Sequence, residues 1–486
     1  MARRIGVEVT TETRGGPTNP GGPAGQFHIV GVTERGPVGQ IVTVRSLAEF
    51  TRRLGGRTPY SGAAYDAARL FFNEGGSQLL VSRVVGSGAK RAGVDLLAPG
   101  DGDEGSGDPV ARVEVAEFGG FANGGTVEVQ RAQDTYSVIV TDHTGEVIAS
   151  VRNVDTLDRL VAGARSNPYV NITSMTEQDE LSLATDNYDL SGGSDDRENV
   201  STDDVLAALD AGGDDGEGGA VAAPGYPADV IGAGLIEHAS RHRKIALLAG
   251  NETDSLSDVE AIARTLHEET RGEYGALFHP HVQVTDSSGA RVVSPEAFVA
   301  AARARMFATG AFWSSPAGTV YGRARWATAT VPALSRADIE RLDESYVNGI
   351  ETSGSRVYLN NWTSLAVDRE NLELLRDADV LNNLAVQIER TLEQYVWEDI
   401  DSRGLLHSDI DSAVTAIVSE MAANGGTWAD TNDDGEELDP GYVVSVNPDP
   451  GLAAQNRVEV EVGVRLPGAA KLISVGLIKV AIGGDL

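Results

Sequence analysis

Residues 221–250 read VAAPGYPADVIGAGLIEHASRHRKIALLAG, and the fold class turns on how this stretch divides. The first apolar run stops at Pro224 and Gly225, residue types that end strands and open turns. From Ala228 the apolar residues recur at helical spacing as far as the pair His238 and His242. After Lys244 a second short apolar run begins, with the length of a buried strand. A strand, a helix and a strand in succession are the unit of a largely parallel sheet. Ligands of such sheets bind at strand-end loops. The loop at Pro224 is therefore either a catalytic corner or a structural joint.

The same alternation extends both ways. SDVEAIARTLHEET (257–270) predicts a helix, with Ser257 and Glu260 spaced as a capping box. GALFHPHVQV (275–284) predicts a strand with His279 and His281 on one face, and SPEAFVAAARARMF (294–307) a helix with Pro295 in its first turn. Upstream, FHIVGV and IVTV read as strands, and SLAEFTRRLG and YSGAAYDAARLFFNEGG as helices. The second helix is closed by Gly75 and Gly76, and SQLLVSRVV returns as a strand. Residues 25–86 and 215–340 together form an α/β core covered on both faces.

Residues 87–214 differ. They are rich in Gly, Asp, Ser and Thr, with short β-like runs VARVEVAEF, GTVEVQR, YSVIVTD and EVIASVR, and end in a short helix, TDDVLAALD. This is an inserted, β-rich domain. The acidic loop AGGDDGEGG (211–219) follows. Residues 341–469 form a C-terminal α+β domain. Its first helix (380–398) carries Leu381, Leu384, Ile388, Leu392 and Tyr395 on one face. A second helix, SAVTAIVSEMAANGG, leads to GYVVSV and NRVEVEVGVRL. In the latter, Val458, Val460, Val462 and Val464 alternate with Glu459, Glu461, Gly463 and Arg465. The fold class is thus α/β, α+β overall, with terminal arms at 1–24 and 470–486.

Both arms carry strands with nowhere to go. Ile5, Val7 and Val9 alternate ahead of the linker-like RGGPTNPGGPAGQ, and Val475, Leu477, Ile478 and Val480 lie in a terminal run apolar on both faces. An isolated strand cannot bury its apolar face, so each must dock on its own domain or on another subunit. The expected residues of inter-subunit strand exchange are Ile5, Val7, Val9, Val458, Val460, Val462, Val475, Leu477, Ile478 and Val480.

Charge narrows the partners. The chain has 39 basic and 72 acidic residues, a net charge of -33, and only four lysines: Lys90, Lys244, Lys471 and Lys479. At low salt so large a charge makes the folded state repel itself, and at molar salt the repulsion is screened. The composition resembles that of proteins from extreme halophiles; a merely acidic, soluble protein is the plainer reading. Nucleic acid is disfavoured, because phosphates need a basic face. No apolar stretch has the length of a membrane span, and the start lacks the apolar region of a signal peptide. The absence of cysteine removes disulfides, thiol catalysis and Cys-ligated zinc.

Four motifs were candidates for chemistry. His238 and His242 share a helix face, yet a zincin needs Glu directly after the first His, where Ala239 stands, and Arg241, Arg243 and Lys244 are cationic. DTNDDGEELDPG (430–441) opens like a calcium loop at Asp430, Asn432, Asp434 and Gly435, but Gly441 occupies the place of the bidentate Glu, so it reads as a solvated acidic hairpin. Gly86, Gly88 and Lys90 lack phosphate-loop spacing, and no Gly-x-Ser-x-Gly elbow occurs. No catalytic residue, cofactor or metal is assigned.

Taken in order, several segments resemble contractile tail sheath proteins of bacteriophages and archaeal viruses. FHIVGVTERGPVGQIVTVRSLAEFTRRLGG is similar to that family's opening, and AAYDAARLFFNEGGSQLLVSRVV to its helix, Gly-Gly and strand ending in Arg-Val. FGGFANGGTVEVQ resembles its Pro-Gly-x-x-Gly-Asn turn, with Gly119 where Pro is commoner. NYDLSGGSDD resembles its Leu-x-Gly-Gly-x-Asp signature, and AVAAPGYPADV its Ala-Pro-Gly strand end. The run from Val380 to Arg403 and the final hairpin are similar to its C-terminal domain. The resemblance covers nearly the whole chain; each motif is weak and the ordered set is specific. Departures fall in loops: Pro280-His281 for Pro-Trp, VVSPEAF for a Pro-Pro-Ser-Gly loop, and NWTSL for Arg-Thr-Leu.

The resemblance implies a structural, non-enzymatic subunit that stacks with copies of itself around a tail tube. The C-terminal domain would lie toward the tube and the inserted domain outward, with terminal arms donating strands to neighbours. It implies a tail tube protein, baseplate and tail terminator as partners, and a virion tail assembled in the host cytoplasm. A cellular contractile injection system is the near alternative. A halophilic α/β enzyme using the 221–226 loop is the alternative of a different class.

Overall fold

The computed structural model describes residues 25–100, 107–212, 218–269, 271–286, 289–368, 370, 372–432 and 436–471. The chain opens with β1 (Phe27–Gly31), β2 (Ile41–Val44), α1 (Leu47–Leu54), α2 (Gly62–Asn73) and β3 (Leu79–Arg83), on the segments read as strands and helices. The Ser46 side chain caps α1 by accepting the Glu49 N–H, and Glu49 in turn accepts the Arg45 N–H. Gly75 follows α2 at φ +99°, a conformation that costs glycine little.

Residues 91–189 then build two antiparallel sheets around one helix. Their elements are β4 (Arg91–Leu97), β5 (Pro109–Phe118), β6 (Thr126–Ala132), β7 (Thr135–Thr141), β8 (Val147–Val154), α3 (Leu157–Ala164), β9 (Val170–Ser174) and β10 (Asn187–Asp189). The orders are β10-β6-β7-β8 and β4-β5-β9. Side chains alternate across a strand, so Val113 and Val115, Val127 and Val129, and Val138 and Val140 all point inward, where Leu157 and Leu160 of α3 join them.

The α/β pattern resumes with α4 (Thr202–Asp210), β11 (Ala220–Ala222), α5 (Ala228–Arg241), β12 (Ile245–Ala249), α6 (Leu256–Glu269) and β13 (Gly275–His279). After these come β14 (His281–Asp286), β15 (Gly289–Val293), α7 (Glu296–Phe307), α8 (Gly318–Tyr321), β16 (Ala329–Val331), α9 (Arg336–Glu344), β17 (Val347–Ser353) and β18 (Arg356–Leu359). The main sheet has the order β18-β17-β13-β12-β11-β1-β3-β2. Its six inner strands are mutually parallel, and β2 and β18 pair antiparallel at the two edges. Helices cover both faces. Phe27, Ile29 and Leu247 pack with α2 and α7 on one side, and Val30, Val221 and Leu248 with α4, α5 and α6 on the other. Burial on both faces explains why β12 reads as the unbroken apolar run IALLA.

The last elements are α10 (Leu375–Leu392), α11 (Leu405–Ala423), β19 (Asp430–Thr431), β20 (Glu437–Asp439), β21 (Tyr442–Asn447), α12 (Pro450–Ala453) and β22 (Glu459–Val464). The described residues separate into two compact units: a larger one, 25–308 with 316–379, and a smaller one, 309–315 with 380–471.

Five sequence expectations change. Residues 341–379, assigned to a C-terminal domain, belong to the larger unit: β17 lies parallel to β13 and buries Val347 and Ile350. The helix α4, assigned to the insert, sends Val205 and Leu209 into the main core beside Val221 and Ile231. GALFHPHVQV is two strands in two sheets, not one. Pro280 has no N–H for a ladder, and His279 and His281 part there. The box before α6 is Ser255 with Asp258, two residues ahead of the Ser257 and Glu260 expected. Glu260 instead binds Arg341. Leu381 is 49% exposed, whereas Leu384 is buried and Ile388, Leu392 and Tyr395 pack on apolar clusters, so the expected stripe of α10 holds except at its first residue, where buried Val380 takes its place.

Candidate functional site

Among the expected strand-exchange residues, Ile5, Val7 and Val9, and Val475, Leu477, Ile478 and Val480, lie outside the described residues. Val458, Val460 and Val462 lie at the hairpin of β21 and β22. The two strands pair antiparallel with Val444 opposite Val462 and Val446 opposite Val460. Alternation puts these valines on one face, which packs on Leu406, Ile410 and Val414 of α11. The side chains are thus consumed within the chain. What the hairpin leaves is backbone: among the described residues it is a two-stranded sheet, with one unpaired edge on each strand. Its other face is polar apart from Val443, with Ser445, Asn447, Glu459 and Glu461 outward.

The same unit carries exposed apolar side chains. Trp397 is 98% exposed and held at φ +74°, and Val396, Leu405, Trp428 and Leu438 are exposed too. A left-handed tryptophan in solvent costs conformational energy and hydration alike.

In the loop at Pro224 the proline is buried and Gly225 is exposed. The loop lies at the C-terminal end of β11, beside β1, where the order of parallel strands reverses. Gly225 sits at φ +92°, and a Cβ there would come within 2.8 Å of the Ala63 Cβ of α2. Glycine serves a close approach of backbone to helix, and the loop is a joint. Gly86, Gly88 and Lys90 are also structural. Asp195 O accepts the Gly86 N–H, Asp196 Oδ2 accepts the Gly88 N–H, and Lys90 bridges Ser194. Beside them the expected Pro-Gly turn opens with Gly119 at φ +131°, which proline cannot adopt. The acidic segment 430–441 contains β19 and β20 as a hairpin; Asp434 and Gly435 lie outside the described residues.

His238 and His242 do have a polar setting, at the opposite end of the sheet from the Pro224 loop. Buried Lys244 donates from Nζ to His28 Nδ1 at 2.9 Å and reaches His238 Nε2 at 3.5 Å. An ammonium only donates, so both rings accept there and carry their protons on the far nitrogens. His28 Nε2 then donates to Ser82 Oγ (2.9 Å), and His238 Nδ1 to Asp210 Oδ1 (2.6 Å). Burial, with Lys244 adding to it, holds His28 well below the usual imidazole range and His238 down to about 4. Burial acts to raise Asp210, but the His238 hydrogen bond and the charges of His238, Arg241 and His242 leave it below the usual carboxylate range. The two histidines were singled out from the sequence. Lys244 was noted only as a cationic sequence neighbour, and Asp210 and His28 were not found at all, for no local spacing links them to the pair.

Buried charge pairs elsewhere in the larger unit were also invisible in the sequence. Arg83 donates to Asp195 Oδ1 (2.6 Å) and to the carbonyls of Gly36 and Phe118. This places the acid of the Leu-x-Gly-Gly-x-Asp segment at the end of β3. Fully buried Glu74 accepts the N–H groups of Arg325, Trp326 and Ala327 at 2.7–2.9 Å and faces Arg305. Arg303 holds Asp379 through two 2.7 Å bonds. Every carboxylate oxygen named meets a donor, as structural pairs require, though Arg83 Nε is buried without a partner.

The chain matches no family model and no curated protein. Among solved structures it is similar to the sheath tail protein Lin1278 of Listeria innocua, with a TM-score of 0.62 and 15% identity over 88% of this chain and 90% of that one. It is also similar to the sheath of an extracellular contractile injection system, PVC, in its contracted state (TM-score 0.55, 10% identity, 98% of each chain). The anti-feeding prophage helical sheath, also contracted, gives a TM-score of 0.53 at 12% identity over 98% of this chain and 99% of that one. At these identities the likeness is one of fold, and it spans both units.

Proposed function

We propose that this chain is the sheath subunit of a contractile tail, a structural protein without catalytic activity that polymerises with copies of itself around an inner tube. The observation that carries the reading is the fold likeness to sheath proteins over nearly the full length of both chains. A likeness restricted to the parallel sheet would have suited many enzymes. The smaller unit supports it, because among the described residues the β21–β22 hairpin has no further strand at either edge. In this reading Ile5, Val7 and Val9 of one subunit and Val475, Leu477, Ile478 and Val480 of another add strands to the hairpin of a third, at the edges beside Val458, Val460 and Val462. Ladder bonds between subunits then survive while rigid bodies repack during contraction, driving the tube through a host envelope. The partners are further copies, a tail tube protein, a baseplate and a tail terminator. The site of action is the virion tail, after assembly in the host cytoplasm. The net charge of -33 supports origin in a halophile, and with it a haloarchaeal virus. The likeness to the PVC sheath supports a cellular injection system as the second reading. The enzyme reading would place its site in the 221–226 loop, where Gly225 is held against Ala63 of α2 with no room for a side chain.

Electron microscopy of the purified chain in molar salt tests the proposal. Hollow tubes or stacked rings are expected. Chains lacking residues 1–24 or 472–486 should stay folded and fail to polymerise. A wild-type chain that remains monomeric in all salts refutes the sheath; tubes from the shortened chains refute strand exchange alone.

A further inference from the structure

Asp210 is the last residue of α4, and His238 and His242 lie one turn apart at the end of α5. One ligand atom from each, a carboxylate oxygen and two ring nitrogens, lies within 4.8 Å of the others. The His238 Nδ1 to Asp210 Oδ1 distance is 2.6 Å, His242 Nε2 lies 3.6 Å from the same oxygen, and the two rings stand 4.4 Å apart, inclined by 32°. Tetrahedral coordination at bond lengths of 2.0–2.1 Å sets ligand atoms about 3.3 Å apart. The three groups therefore need only small side-chain shifts to converge on one ion.

We infer that Asp210, His238 and His242 form a binding site for a divalent transition metal of the zinc type. Two imidazoles and one carboxylate select such an ion over calcium or magnesium, which prefer all-oxygen shells. The backbone favours a cation at this place, since the C-terminal ends of both helices carry partial negative charge. The ion has a way in, because the side chains of Asp210 and His242 are partly exposed. His238 is the buried anchor.

Two cations bear on the site. Arg241 lies 3.6 Å from Asp210 Oδ2, but its side chain is half exposed and can swing into water. Lys244 lies on the far side of the His238 ring. Metal on Nδ1 moves the ring proton to Nε2, which turns the 3.5 Å contact with Lys244 into one of donor against donor, so the ammonium must draw away toward His28, to which its 2.9 Å bond remains. The consequence is mechanical: the ion would fasten α4, the last helix before the chain re-enters the main sheet at β11, to α5. The zincin Glu is a general base and not a ligand, so its absence after His238 leaves the ligand set intact; the third ligand, Asp210, comes from another helix.

The test uses the full, untagged chain, stripped with a chelator. Zn²⁺ is titrated in competition with a chromogenic chelator, and Co²⁺ is followed by its visible absorption. One Zn²⁺ per chain is expected, with a rise in melting temperature. Asp210→Asn and His242→Gln should each weaken binding by more than about tenfold, the loss that removing even an outer partner of a metal site can cause. Arg241→Ala should tighten it, which a purely structural cluster would not do. Metal-free melting of each variant at the wild-type temperature certifies its fold. Wild-type binding no tighter than that of Asp210→Asn and His242→Gln, or no stoichiometric binding at all, overturns the inference.

Discussion

In the larger unit Arg303 grips Asp379 through two bonds, both side chains buried, with the guanidinium 4.0 Å over the Phe307 ring. In the smaller unit Arg457 meets Glu459 at 3.2 Å, and Arg465 meets Asp439 at 3.2 Å, all in solvent. Apolar residues divide the same way. The larger unit fills continuous clusters on both faces of its sheet, whereas the smaller one has two modest clusters and exposes Trp397, Trp428 and Leu438. Buried pairs are insensitive to salt and fix geometry, and exposed pairs are screened and contribute little. The contrast teaches that the larger unit is held by buried pairs around a large core, while the smaller one, among the described residues, shows unpaired strand edges and exposed tryptophans on a modest core.

The contrast breaks most directly at Asp379. Asp379→Asn leaves the Arg303 guanidinium buried without its counter-charge and should cost about 3–5 kcal/mol. Denaturant unfolding of the variant should show that loss at low and at molar salt alike. A loss below about 1 kcal/mol would mean that the buried pair does not hold the unit together.

Glu296 gives a smaller effect, with pH as the handle. Burial raises its carboxyl from 4.5 to about 6, against the hydrogen bond from Ser294, and its Oε2 lacks a donor. A group whose folded pKa is raised stabilises fully below its unfolded pKa, and the benefit is lost as pH rises through the folded value. Glu296→Gln should therefore stabilise the chain by about 2 kcal/mol at pH 7.5 and not at all below pH 4.5. Melting curves across that range check it; a gain that persists at pH 4 would point to packing instead of charge. The smallest effect belongs to the smaller unit: Arg457→Ala should change stability by less than about 1 kcal/mol, and by nothing measurable in molar salt. A larger, salt-resistant loss would erase the distinction between the two units.

Much of the fold is legible along the chain, and the reasons are local. The strands of the main sheet show as apolar runs, α1 announces itself by Ser46 and Glu49, and the alternating valines of β22 forecast their shared face. Errors arose where a local rule had a competitor. GALFHPHVQV has the length and composition of one strand, but Pro280 divides it between two sheets. Ser257 and Glu260 satisfy capping spacing, yet Ser255 and Asp258 satisfy it two residues earlier and fix the helix start. The conclusion on His238 and His242 rested on their sequence neighbours, which are cationic, and could not include Asp210.

The sequence by itself determined most elements up to Phe307 and from Val380, the acidic composition and the absence of thiol chemistry, because each depends on residue type or on short-range periodicity; β16, α9, β17 and β18 were not read from it. The tertiary structure alone decided which charges meet. Arg303 finds Asp379 across 76 residues, Arg83 finds Asp195 across 112, and Glu74 receives the Arg325 N–H across 251. Such partners are chosen by how helices and sheets pack, and the repeat of an α-helix or β-strand carries no record of that. The meeting of Asp210 with His238 and His242 is of the same kind: two helix ends brought together by the sheet they cover.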